Sequence, residues 1–331
     1  MIHVGPHKTG STSLQASAVE NRAILRKNGI VYPRMFQRKF LGHHSLARLF
    51  DSEGHHGFQH DLDRLSYLTS CRNHLLLSSE GFSSESTRVI QMSEALSNHE
   101  VRVAYFVRSL PHLLVSAWQQ GVKWGEDLSF VDWVEDASST ANRPALVAPK
   151  DFLDEVVASV GRESLVLFDA DGHRQEGMDP LASVLHSAFG VAPHLERTRS
   201  RNFSPGLSVS VLQRQINAVI GDIEPQISWK IFGRSFMRQM RRRDSERLGE
   251  LIDAGIEQIE GGEMRELDQR KIRARLDQHK RMVDEFSDLF SGPRSVEGAT
   301  NYAMPVFPAN VARTELVHEI AMEFIREGVT A

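Results

Sequence analysis

The chain has a single cysteine, Cys71, among its 331 residues. One thiol excludes an intrachain disulfide framework, so the fold has to rest on its buried core. No apolar run approaches the ~20 residues that cross a bilayer. No secretory leader is expected either, because the first apolar strand begins almost at Met1. Charge of one sign is also missing: 39 Lys and Arg stand against 43 Asp and Glu, a formal net charge of −4. That balance argues against a nucleic-acid partner, although local basic patches remain. There is no internal repeat and no low-complexity segment. What is present is ordinary for a globular protein, with 40% hydrophobic and 25% charged residues. The length suits one large α/β domain or two smaller ones, a size that buries roughly three quarters of its unfolded surface.

The informative stretch is the first. Ile2 to Val4 is a short apolar run that reads as one buried strand. Gly5, Pro6 and Gly10 then make a turn, and a Ser/Thr run, Ser11-Thr12-Ser13, leads into helical spacing. A strand, a Gly-containing loop and a helix N-terminus form an anion site, because unpaired N–H groups and the positive end of the helix dipole face one spot. His7 and Lys8 add cationic side chains, and Thr9, Ser11, Thr12 and Ser13 add hydroxyl donors. Gly5-x4-Gly10 matches the glycine frame of a nucleoside-triphosphate loop, G-x4-G-K-[ST]. Ser11 stands where that motif has its Lys, and the cation sits earlier, at Lys8. An ordinary ATPase or GTPase is therefore disfavoured.

The rest of the first 190 residues alternates strands and helices. Leu14, Ala18 and Leu25 mark a helix from about Thr12 to Lys27, stopped at Asn28-Gly29. Ile30 to Pro33, Leu75 to Leu77, Val101 to Val107 and Ser164 to Phe168 read as further strands. Helices follow with apolar faces at Leu110, Leu113, Leu114, Ala117 and Trp118, at 151–160, and at 180–189 before Gly190. This order predicts a P-loop-like three-layer α/β fold, with a central parallel sheet of about five strands. A core over 1–210 and a mainly helical region over 211–331 are expected. The last helix, near 313–326, can cap the domain or pair with a second copy as a homodimer. Arg238, Arg241, Arg242 and Arg243 read as a solvated helix face, with docking of an acidic acceptor as the lesser reading.

In parallel sheets ligands collect beyond the carboxyl ends of the strands. Glu80 follows the Leu75–Leu77 strand and is placed to take a proton from an acceptor hydroxyl or amine. His43 and His44, which open a short helix, are its rivals. The histidines of 43–60 lack a ligand frame for a metal site. Arg108 closes the Val101–Val107 strand, and Ser116 lies two turns into the following helix, so both can face one anion. Arg suits that place because its planar fork grips phosphate oxygens bidentately. Arg201 and Asn202 fall in a basic loop that can close over a ligand.

Gly-x-x-Lys-Thr-Gly-Ser-Thr-x-Leu-Gln, from Gly5 to Gln15, resembles the 5′-phosphosulfate loop of the sulfotransferases, with Ser11 where the common form has Thr. The string Phe106 to Trp118, with Arg108 and Ser116 in an Arg-x7-Ser pattern, resembles that family's 3′-phosphate motif. The segments 25–33, 42–47 and 202–208 are similar to bacterial members. The resemblance is good to about residue 120, weak to 210, and silent beyond. It implies transfer of a sulfuryl group from 3′-phosphoadenosine 5′-phosphosulfate (PAPS) to a carbohydrate, a glycolipid or a small metabolite. Adenosine 3′,5′-bisphosphate is then the product, and no metal is required. It also implies a cytoplasmic bacterial enzyme, since the Golgi forms carry an anchor. A P-loop kinase-like phosphotransferase and a non-catalytic nucleotide- or glycan-binding protein are the alternatives.

Overall fold

The structure, a computed structural model, describes residues 1–6, 8–37, 41–48, 60, 63–65, 67, 74–139, 149–196, 206–224, 226–242, 246–261, 264–266, 269–292, 306–308 and 315–326. The chain divides into two compact units. The first comprises 1–113, 141–202 and 273–302, and the second 114–140, 203–272 and 303–331.

The first unit is built on four parallel strands: β1 (Ile2–Val4), β4 (Leu77–Ser78), β5 (Val103–Val107) and β6 (Leu165–Asp169). They lie in the order β4-β1-β5-β6. Register pairs His3 with Ser78 on one side and with Ala104 on the other. Side chains alternate across the sheet with a period of two. Ile2, Val4, Val103, Tyr105, Val107, Leu165 and Leu167 enter one core. Ala104, Phe106 and Phe168 enter the other.

Helices cover both faces, as a parallel sheet demands. Helix α1 (Ser11–Glu20), α2 (Arg22–Lys27) and Pro180–Phe189 supply Leu14, Ala18, Leu25, Leu181 and Val184 to one layer. Ser86–Ala95, Pro149–Val160 and Arg273–Glu285 supply Val89, Met92, Phe152, Leu153, Met282 and Val283 to the other.

Two expectations change in detail. Among the described residues the central sheet has four strands, because β2 (Ile30–Val31) pairs with β3 (His74–Leu75) in a separate two-stranded parallel sheet. The Leu75–Leu77 run changes partner along its length: Leu76 N–H donates to the Val31 carbonyl and Leu77 N–H to that of Met1. The first helix also breaks, at Asn21. That side chain donates to the Ser17 carbonyl and accepts the Glu196 N–H at 2.7 Å, so it fastens a distant segment at the junction.

The second unit is mainly helical, with Leu207–Ile223 packed against Glu246–Glu260 and Glu315–Arg326. Gly255 allows the close crossing, since a Cβ there would stand 3.0 Å from Leu212 Cδ1 and 3.2 Å from Ile320 Cδ1. Phe232, Phe236 and Phe324 form an aromatic cluster with centroids 5.2 to 6.3 Å apart. A short antiparallel pair, Met264–Glu266 with Val306–Pro308, completes the unit. Among the described residues no helix is long and apolar enough to cross a membrane.

Candidate functional site

Strand order places the site. From β1 the chain moves outward to β4, then returns across β1 to β5 and β6, so the direction of winding reverses between β1 and β5. In open α/β sheets the crevice at such a reversal, beyond the carboxyl ends, is where ligands bind. Four neighbouring strand ends carry Glu80 after β4, the Lys8 loop after β1, Arg108 after β5, and Asp171 after β6. Neighbouring strands lie ~4.8 Å apart, so the rim reads acid, base, base, acid within a short span.

The loop after β1 is held in an uncommon shape. Lys8 has φ 77° and Gly10 φ 95°, both left-handed, a region where a residue with a Cβ pays a cost that glycine does not. Gly10 is the N-cap of α1 and offers no side-chain cap. Ser13 N–H donates to the Gly10 carbonyl at 2.9 Å, so Ser11 and Thr12 carry the first-turn N–H groups that a ligand at this positive dipole end can use. The hydroxyls divide: Thr9 Oγ1 donates to the Pro6 carbonyl at 2.8 Å, whereas Thr12 and Ser13 are on the accessible side. Thr9 thus braces the turn. Ser11 is 2% exposed and its hydroxyl has no hydrogen-bond partner among the described residues.

Arg108 ties the two central strand ends together. Its Nη1 donates to the Lys8 carbonyl at 2.9 Å, and its Nε donates to Asp171 Oδ1 at 3.1 Å. Three of its five N–H donors take no part in these two bonds. The Asp171 carboxylate also accepts from Ser109 N–H at 3.1 Å and lies 3.4 Å from His112 Nδ1. Burial pushes this carboxyl up, but the His112 hydrogen bond, the Arg108 charge and the Ser109 N–H outweigh it and hold the pKa at about 2. Burial pulls the Arg108 pKa down and the Asp171 charge opposes it. On the far side, His279 Nε2 donates to the Arg108 carbonyl at 3.0 Å.

Glu80 opens a 3-10 turn whose N-cap, Ser79, accepts from Gly81 N–H. His44 Nδ1 lies 3.0 Å from Ser79 Oγ, and its Nε2 lies 3.4 Å from Glu80 Oε2. The two rivals from the sequence are therefore neighbours that can share a proton. His43 is different. Its Nδ1 accepts from Ser78 N–H and its Nε2 donates to the Pro33 carbonyl, so both ring nitrogens serve the backbone. Burial pushes its pKa down to about 4.

Ser116 lies half-buried on the helix Leu110–Val122, in the part belonging to the second unit. His7, Arg201 and Asn202 lie outside the described residues. Asp171 and His112 were missed as site residues by the sequence reading. The signal for Asp171 was present, as it stands two residues past a strand whose end was legible. A cavity lined by His74, Leu96, His99, Glu100, Arg102 and Phe189 opens at the opposite, amino-terminal edge of the sheet, away from this rim. No protein-family model, curated protein or solved structure matches this chain.

Proposed function

We propose that the chain is a sulfotransferase with a P-loop-like core, which moves a sulfuryl group from PAPS to a hydroxyl or amine. The observation that carries this reading is the Lys8 loop and Arg108 on adjacent strand ends at the reversal of winding, joined by the 2.9 Å bond from Arg108 Nη1 to the Lys8 carbonyl. A donor with anionic groups at both ends needs two cationic grips close together. The uncapped α1 N-terminus with Lys8 is one, and the remaining N–H groups of Arg108 are the other. In the reaction the acceptor oxygen or nitrogen attacks sulfur, and the bond from sulfur to the bridging oxygen breaks. The electron pair leaves on the 5′-phosphate, so adenosine 3′,5′-bisphosphate departs. Lys8 and the α1 N–H groups offset the charge that grows on that oxygen. The acceptor's proton goes to Glu80, with His44 beside it to orient the carboxylate and share the proton. His43, with both nitrogens engaged, holds the turn beneath them.

Transfer of labelled sulfate from PAPS across a panel of hydroxyl and amine acceptors tests the reading. Glu80→Gln should lower turnover by about 10²- to 10⁴-fold, the usual worth of a general base, while leaving nucleotide affinity in place. Unchanged turnover in that variant would remove Glu80 from the mechanism. Stabilisation by ATP with Mg²⁺ but not by adenosine 3′,5′-bisphosphate would favour a kinase-like phosphotransferase instead.

A further inference from the structure

His3 lies on β1 directly beneath the anion loop, and the chemistry above gives it no part. Its side chain is 0% exposed and packs edge-on against Phe106 at 5.0 Å. Its two nitrogens differ. Ser78 Oγ stands 2.7 Å from Nδ1 and accepts from Gln15 Nε2 at 3.2 Å. The hydroxyl has one hydrogen and two lone pairs and also meets the Tyr32 side chain; with that hydrogen donated to Nδ1, the ring proton sits on Nε2. Burial pushes the imidazole pKa down to about 3, so the ring is neutral near pH 7.

Nε2 is buried with no hydrogen-bond partner among the described residues, and the Ser11 hydroxyl is in the same condition. Both border one spot. A Cβ on Gly5 would stand 3.4 Å from His3 Nε2 and 3.5 Å from Ser11 Oγ, with Thr9 Oγ1 at 2.9 Å. Glycine therefore keeps a small polar hollow open under the loop. A buried donor left unmet costs about 1–3 kcal/mol, and here two polar groups converge on the same place. In the tautomer with the proton on Nε2, the atom that meets this nitrogen must accept.

We propose that His3 Nε2–H and the Ser11 hydroxyl together bind one oxygen of the anion held by the Lys8 loop, directly or through a single ordered water. His3 is thereby a positioning residue of the site. The inference rests on the reading of this loop as an anion site, whichever anion it takes.

The test measures binding of adenosine 3′,5′-bisphosphate by calorimetry and, separately, thermal stabilisation by inorganic sulfate. The proteins are wild type, His3→Gln and His3→Phe. Gln carries an N–H to the place of Nε2 and should bind both ligands nearly as wild type does. Phe keeps the ring packing without the donor and should bind about tenfold more weakly or worse, the worth of one hydrogen bond to a charged group. Wild-type binding by His3→Phe, or an equal loss in His3→Gln, would overturn the proposal. If sulfate stabilises wild type but the bisphosphate does not bind, the nucleotide reading fails while the sulfate series still decides the role of His3. Should His3→Phe not fold, ¹⁵N spectra of wild type decide instead. A protonated Nε2 whose resonance moves on adding sulfate is expected, and a ring protonated at Nδ1, or one that ignores sulfate, refutes the inference. A coupling from that proton to phosphorus of the bisphosphate marks direct contact, and a cross-peak to bound water marks the bridged form.

Discussion

Arg108 carries more than one duty. As a brace it holds the carbonyl of Lys8, a residue with positive φ, and it neutralises the buried carboxylate of Asp171. Arg108→Ala should therefore lower stability by about 3 kcal/mol, because it strands a buried charge. Asp171→Asn should leave folding near pH 7 less affected but change the acid limb. The folded Asp171 carboxyl titrates at about 2 against an ordinary 3.8. Its contribution, about 2 kcal/mol by linkage, is complete above pH 4 and is lost as pH falls toward 2. Melting temperature followed from pH 5 to 2 should fall less steeply in Asp171→Asn than in wild type. Equal slopes would mean that the carboxylate gains nothing from its neighbours.

Elements were legible where one interaction decides them. Strand β5 declared itself through an unbroken apolar run, and the helix 180–189 through a glycine that takes the left-handed conformation, φ 65° at Gly190. Sequence missed what depends on distant partners. At the break the Asn21 side chain accepts the Glu196 N–H, and Ile30–Val31 pair with residues 74–75 and not with the main sheet. The candidate site was legible to the same degree: Lys8, Glu80 and Arg108 sit next to recognisable strand ends, whereas His3 looked like part of a strand and nothing more. Packing within the second unit allows one further prediction. A Cβ at Gly233 would run into the backbone carbonyl of Lys123, an atom that cannot swing aside. Gly233→Ala should cost about 3 kcal/mol, at the upper end of overpacking, measured by urea denaturation. An unchanged midpoint would show that the crossing relaxes freely.

Taken together, the chain buries several histidines in neutral form. Burial pushes His3 down to about 3, and His43 and His279 to about 4, against an ordinary 6.5. Each unfolded histidine gains a proton below pH 6.5 that its folded counterpart refuses until near pH 4, or near pH 3 for His3. Stability should therefore decline on acidification from pH 6.5 to 4, by up to ~1.4 kcal/mol per pH unit for each ring. A melting temperature that holds constant across that window would contradict the burial of these rings. None of this depends on what the rim binds. The central claim does, and calorimetry with adenosine 3′,5′-bisphosphate tests it most directly. Wild type should bind one equivalent, and Arg108→Ala should bind at least tenfold more weakly, the loss of about 1.4 kcal/mol or more. Failure of the wild-type protein to bind, or equal affinity in the two proteins, would contradict the account.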